Sequence, residues 1–243
     1  MSAAEQPEHE RPVDKGLDLS PEERRLTLQV LDAEYRMLMG AVSAVWSASL
    51  VRTTIFLGVL SAAGVALGFA AQGGVGGEAF NALALAVLPL LLFLGVATFV
   101  RLVQIQREAM VYITGMNRIR HFMHQAAPAA RPYFILRPYD DARAIYRGMG
   151  TGMARRPPRF PLLYLVVQTQ GIVGVVTGAV AAAFGWLAAA GIVGTALAWI
   201  FAFAAFAGTV IALFVYWQRS LTELQATIRP TNPTPPDEVD SAL

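Results

Sequence analysis

The chain has no cysteine and a single lysine, Lys15, and two long stretches of it are almost without charge. The missing cysteines exclude disulfides, thiolate nucleophiles and zinc sites of the Cys type. The missing charge says more. No charged residue occurs between Leu162 and Trp217, and only Glu78 interrupts the stretch from Thr53 to Val100. Such stretches do not stay soluble in water, and each is long enough for two helical spans at roughly 20 apolar residues per bilayer crossing. With 55% hydrophobic and 15% charged residues, the composition is that of an integral membrane protein rather than of one or two soluble domains.

Further absences narrow the function. Intramembrane proteolysis needs Asp, His or a Ser–His/Lys pair within the spans, and the spans hold no Asp, His or Lys. The same lack argues against a proton-coupled transporter, and no repeat relates the two apolar blocks as in inverted-repeat transporters. Gly148, Gly150 and Gly152 form a glycine cluster with no preceding strand and no Lys-Ser/Thr, so they do not make a nucleotide loop. His121 and His124 are three apart on a predicted helix, but no carboxylate lies within two turns and Arg118 and Arg120 repel a cation. Asp140 and Asp141 are adjacent, about 100° apart on a helix, and read as an N-cap with a favourable dipole partner rather than as a catalytic pair. A net charge of +2 gives no footprint for nucleic acid. The expectation is a non-enzymatic protein with no cofactor, no metal and no nucleic-acid partner.

The spans are predicted near 53–71, 79–100, 162–186 and 192–217, with Gly73, Gly74, Gly76 and Gly77 punctuating the first hairpin and a turn around 188–194 in the second. Basic residues precede the first span (Arg11, Lys15, Arg24, Arg25, Arg36, Arg52), fill the segment between the hairpins and follow the last span (Arg219, Arg229), while neither short hairpin loop carries any. By the positive-inside rule, both termini and the central loop are expected in the cytoplasm, with the protein in the plasma (inner) membrane. About fifty mostly polar residues precede the first span, so that span is expected to be an uncleaved anchor. Trp217, Tyr216 and Tyr164 are expected at the cytoplasmic interface and Trp186 at the outer one.

The expected fold class is all-α: four transmembrane helices, with the first hairpin extended into the cytoplasm as an antiparallel helix pair. Ser20-Pro21-Glu22-Glu23 is a helix start, with Ser as N-cap, Pro at the first helical position and Glu at the third. From there Leu28, Leu31, Tyr35, Leu38, Val42, Val45 and Ser49 repeat at steps of three and four. Leu102, Ile105, Ala109, Tyr112, Met116, Ile119 and Met123 do the same after the second span. Two such seams flanking one hairpin predict that Leu31, Leu38 and Val45 face Ile105, Tyr112 and Ile119. Pro128, Pro132 and Pro138 end the second helix, and a short helix is predicted to reach about Arg147. The expected organisation is a disordered tail over 1–19, the long hairpin over 20–127 and an Arg/Pro-rich linker over 128–161. The second hairpin follows over 162–217, then a Pro-rich acidic tail over 218–243 that is disordered from Arg229.

Charge is segregated outside the spans. Residues 101–160 carry about +8 and residues 1–52 about −3 by side-chain counting. Beyond setting topology, Arg155, Arg156 and Arg159 are placed to contact anionic lipid headgroups beside the third span. The loop can also dock on Glu22, Glu23, Asp32 or Glu34. Inside the spans, Gly64-x-x-x-Gly68 and Gly174-x-x-x-Gly178 read as helix-packing motifs, within the bundle or between subunits. Pro89 is expected to bend the second span. Gln168, Gln170 and Thr177, with Thr169, form a polar cluster in the third span that either lines a hydrated path or hydrogen-bonds across helices.

The arrangement of residues 20–127 resembles the SLATT-type membrane modules of bacterial conflict systems. That resemblance implies a two-span hairpin with cytoplasmic helical extensions, and the family is thought to supply pore-forming effectors; the second hairpin departs from its pattern. Asn117-Arg-Ile-Arg-His121 followed by Pro132-Tyr-Phe134 is similar to text from uncharacterised bacterial four-span membrane proteins. Two functions follow. The first is a non-enzymatic, self-associating scaffold or regulatory partner-binding protein of the bilayer. The alternative is an oligomeric pore or channel-forming effector, for which acidic pore residues or a carbonyl filter are not apparent.

Overall fold

The computed structural model describes residues 19–72, 77–148 and 168–235. Helix α1 (Pro21–Ala71) starts at a reciprocal capping box. The Ser20 amide donates to Glu23 Oε2 at 3.0 Å and the Glu23 amide to Ser20 Oγ at 3.3 Å, with Pro21 in the first turn where its missing N–H costs nothing. Helix α2 (Glu78–Ala126) runs through Pro89 without a break in assignment. A 3₁₀ turn (Pro128–Tyr133) and the short helix α3 (Ala142–Gly148) follow, then α4 (Thr169–Val193) and α5 (Thr195–Thr227). Gly194 joins the last two at φ +84°, a conformation that L side chains rarely adopt.

Among the described residues the fold is all-helical, with four helices long and apolar enough to cross a membrane. The chain is a multi-pass membrane protein. At 1.5 Å rise per residue, the 51 residues of α1 measure about 76 Å against about 30 Å of bilayer hydrocarbon. More than half of α1, and a similar length of α2, therefore projects beyond the spans. The first two predicted spans fall inside α1 and α2; α4 starts seven residues later than the predicted third span and ends seven later, and the predicted turn at 188–194 narrows to Gly194, with α5 starting at Thr195. Helix α5 outruns its predicted end by ten residues because Trp217, Leu221 and Leu224 continue its buried stripe.

Helix α2 is the shared wall. Helix α1 packs extensively only on α2, which also packs on α4. Helices α4 and α5 close on each other. One core joins Phe56 of α1, Phe99, Leu102 and Met110 of α2, Ile145 of α3, Val173 of α4 and Trp217 of α5. A second, nearer the hairpin turns, gathers Ala84, Leu88, Leu91 and Val180 with Leu60 and Leu67 against it.

Glycines decide how close the helices come. A Cβ on Gly95 of α2 would lie 2.5 Å from Thr177 Oγ1 of α4, and one on Gly178 would lie 2.7 Å from Val210 Cγ2 of α5. Gly174 lies against the Phe99 ring, 3.2 Å from the same hypothetical carbon. The Gly174–Gly178 motif therefore serves two interfaces inside the bundle. Among the described residues nothing from another helix lies within 4 Å of a Cβ placed on Gly64 or Gly68. The reason is topological, since α1 has one main neighbour and these residues point away from it.

Candidate functional site

The polar side chains gather where the four long helices leave their apolar spans. Gln106 of α2, six residues beyond Val100, is buried. Its Oε1 accepts from the indole N–H of Trp217 at 2.8 Å and from Gln170 Nε2 at 3.3 Å. One carbonyl thus ties α2, α4 and α5 together, and interhelical bonds of this kind contribute about 0.6–2 kcal/mol each. The predicted polar cluster is divided accordingly. Gln168 is the N-cap residue of α4 and Gln170 lies in its first turn, so both sit at a helix mouth rather than within the span. Thr177 lies two turns deeper, fully buried, its hydroxyl donating to the Val173 carbonyl at 2.7 Å. Residues 162–167 lie outside the described residues. Trp217, expected at the level of the cytoplasmic membrane interface, is 4% exposed and faces the core of the bundle.

Beyond this node the projecting helices carry a second polar layer. Leu31, Leu38 and Val45 are half-buried while the residues between them are largely exposed. Across from them Ile105 and Ile119 are buried and Tyr112 half-buried. Leu38 reaches to 3.1 Å from where a Gly115 Cβ would stand. One turn further out, Arg120 is 5% exposed. It bonds Asn117 Oδ1, donates to Tyr35 Oη at 3.0 Å and lies 5.9 Å above the Tyr35 ring. Among the described residues no carboxylate pairs with Arg120. Its charge is held by polar and aromatic neighbours, an arrangement that suits a planar guanidinium better than an ammonium.

Asp140 closes the layer. It is 1% exposed and accepts from Arg118 Nε at 2.8 Å, the Thr231 amide at 2.9 Å and the Asn232 amide at 2.7 Å. Its own amide donates to the Asn232 carbonyl at 3.1 Å. Arg118 also donates to the Arg229 carbonyl at 2.9 Å, and Thr234 Oγ1 to Asp141 at 2.6 Å. Burial pushes the Asp140 carboxyl up, but the Arg118 guanidinium and the two amides together hold it below the usual carboxylate range. Two expectations are corrected here. Asp140 is not a cap of α3 but the anchor of the C-terminal segment, and residues 229–235 are not disordered but folded onto that anchor. The reason is long-range: two backbone amides after α5 donate to the Asp140 carboxylate, and the Asn232 carbonyl accepts from the Asp140 amide.

Of the acids of α1 on which the loop was expected to dock, two are engaged within their own helix, while loop residues 149–167 lie outside the described residues. Asp32 pairs with Arg36 within α1, and Glu23 is held in the capping box. Burial lowers both His121 and His124, with Arg131 adding to the effect at His124. His121 Nε2 lies 3.1 Å from Gln125 and the His124 ring packs on Phe134 at 4.4 Å. No group of three or more metal-ligating side chains occurs among the described residues. Arg155, Arg156 and Arg159, the expected lipid contacts, lie outside them.

Sequence reasoning missed Gln106, Arg120 and the acceptor role of Asp140. Gln106 had a signal: it interrupts the apolar run Leu102, Val103, Ile105, Ala109 on the buried side of α2. Asp140 had none, because its two amide donors lie about ninety residues away and Arg118 lies 22 residues before it on another helix. No protein-family model, no curated protein and no solved structure matches the chain.

Proposed function

We propose that this protein is a non-enzymatic, self-associating membrane scaffold that presents its projecting helices to partners. In this reading it lies in the plasma (inner) membrane with both termini and the central segment in the cytoplasm. The positive-inside rule supports that orientation, since the projecting ends carry the basic residues. Arg155, Arg156 and Arg159 would then face anionic headgroups.

The observation that carries the reading is how Gln170, Thr177 and Gln106 are used. The side chains that would have to line a hydrated path bond neighbouring helices or their own backbone, and Thr177 is sealed against Gly95. What remains open is the outer side of α1 before Arg52, beyond the predicted span, where Leu26, Val30 and Met37 stand exposed. A surface of that kind is made for contact, not for conduction.

The test is the mass of the purified protein in nanodiscs, together with its conductance in a planar bilayer. A discrete multimer without currents is expected. Reproducible single-channel currents that disappear in Gln170→Leu would replace the scaffold with an oligomeric pore.

A further inference from the structure

The side of α1 turned away from α2 carries an apolar line that no described residue covers. Leu26, Val30, Ala33, Met37, Gly40 and Ala44 succeed one another at steps of four and three, the repeat that keeps a seam on one side of a supercoiled helix. All six are exposed, Leu26 by 62%, Val30 by 60% and Met37 by 61%. The line lies opposite the Leu31–Leu38–Val45 seam and continues through Val51, Gly58 and Val65, also exposed. On a two-stranded helix in water this outer face is where charges belong. No charged residue falls on it from Leu26 to Val65.

We propose that a second copy of this chain covers the line, the two α1 helices lying parallel through the membrane and along their projecting halves. The proposal rests on the self-associating reading above and names the surface that performs it. Three observations select the occupant. Lipid can cover Gly58 and Val65, but Met37 and Leu26 stand about 20–40 Å along the helix beyond Arg52, out of reach of acyl chains. A partner must therefore offer a matching uncharged line both in water and in lipid, in one fixed orientation to the bilayer. The α1 of another copy does so by construction, and a two-fold parallel pair sets each residue of the line against its own counterpart. Last, Glu34 and Arg36 lie on opposite flanks of the line. Two-fold pairing turns Glu34 of each copy toward Arg36 of the other, so that at this level of the line like charges do not meet. Ala33, Gly40, Ala44 and Gly58 let the two backbones come close.

Because the chain has no cysteine of its own, a single introduced cysteine reports only contacts between molecules. In native membranes, mild oxidation of Val30→Cys, Met37→Cys and Ala44→Cys should each give a disulfide-linked dimer. Arg25→Cys and Met39→Cys, also exposed but more than a third of a turn away, should not. In nanodiscs the wild type should be a dimer. The double variant Val30→Glu/Met37→Glu should weaken dimerisation by at least about tenfold while keeping its helix content and monodispersity, since both side chains are open in the subunit. A wild-type multimer that persists in the double variant, or that cross-links equally at Arg25→Cys, overturns this surface and leaves self-association standing. Line cysteines that link instead to a different protein overturn the occupant. A monomeric wild type overturns both readings.

Discussion

Gly95→Ala isolates what close helix approach contributes to this bundle. The added Cβ would stand 2.5 Å from Thr177 Oγ1, 2.9 Å from its Cγ2 and 3.2 Å from its Cβ. Thr177 is fully buried and its hydroxyl is bonded to Val173, so rotation sacrifices that bond and still leaves the Cβ contact. The helices must separate, and overpacking of this sort costs about 1–3 kcal/mol. Replacing Gly by Ala inside a helix returns about 1 kcal/mol, for a net loss of up to about 2 kcal/mol. Gly64→Ala is the matched control. It meets nothing within 4 Å and should be neutral or stabilising by a few tenths of a kcal/mol, up to about 1. Thr177→Ala removes the two nearest atoms, so the double variant should regain at least about 1 kcal/mol of coupling. Unfolding in mixed micelles, followed by the fluorescence of the four tryptophans, measures all four proteins. Equal midpoints for Gly95→Ala and Gly64→Ala, or no rescue by Thr177→Ala, would refute the argument.

Topology is checked with cysteines at Gly76, Ala190 and Arg131: the first two should react with an impermeant thiol reagent applied to intact cells, and the third should not. Leu38→Asp, facing Gly115 of α2, should destabilise the projecting pair by about 2–4 kcal/mol, whereas Gln29→Asp should change its melting by less than about 0.5 kcal/mol. Gln106→Leu should cost about 1–3 kcal/mol, since it leaves the buried Trp217 indole without its acceptor; an unchanged midpoint in thermal unfolding would count against that node. The Asp140 carboxyl is depressed in the folded chain, so its contribution is complete above its unfolded value of about 3.9 and is lost as pH falls through the lower folded value. Hydrogen exchange over residues 229–235 should therefore stay slow at neutral pH and accelerate only below about pH 4. In Asp140→Asn, which weakens three charge-assisted bonds, it should be fast at every pH.

The membrane fold was legible because its cause is local. A run without charge must be spanned by helices, and Ser20, Pro21 and Glu23 announce a helix start through bonds made within one turn. The heptad steps from Leu28 to Ser49 likewise mark the side of α1 that meets a neighbouring helix. What escaped depends on partners distant in sequence. Nothing near Asp140 marks it as the acceptor of amides at Thr231 and Asn232, and nothing near Gly64 distinguishes it from Gly174. Both belong to small-xxx-small motifs, but α4 is flanked by α2 and α5, while α1 stands at the rim of the bundle. Motif spacing states that two helices can approach closely; only the order of packing states which of them have a neighbour.

Helix α2 has no break from Glu78 to Ala126, so the part in lipid and the part beyond it are one stiff lever. Its projecting arm, together with that of α1, is about 40 Å long. A change of about 5° in the tilt of the spans, of the size that bilayer thickness imposes on transmembrane helices, swings the tip at Ala126 by about 3–4 Å. That displacement exceeds the reach of a hydrogen bond. The layer formed by Arg118, Asp140 and residues 229–232 sits near the end of that lever, where the motion is largest. Those contacts join α2 to the segment after α5, so a difference in tilt between the two helices is felt there more than anywhere nearer the spans.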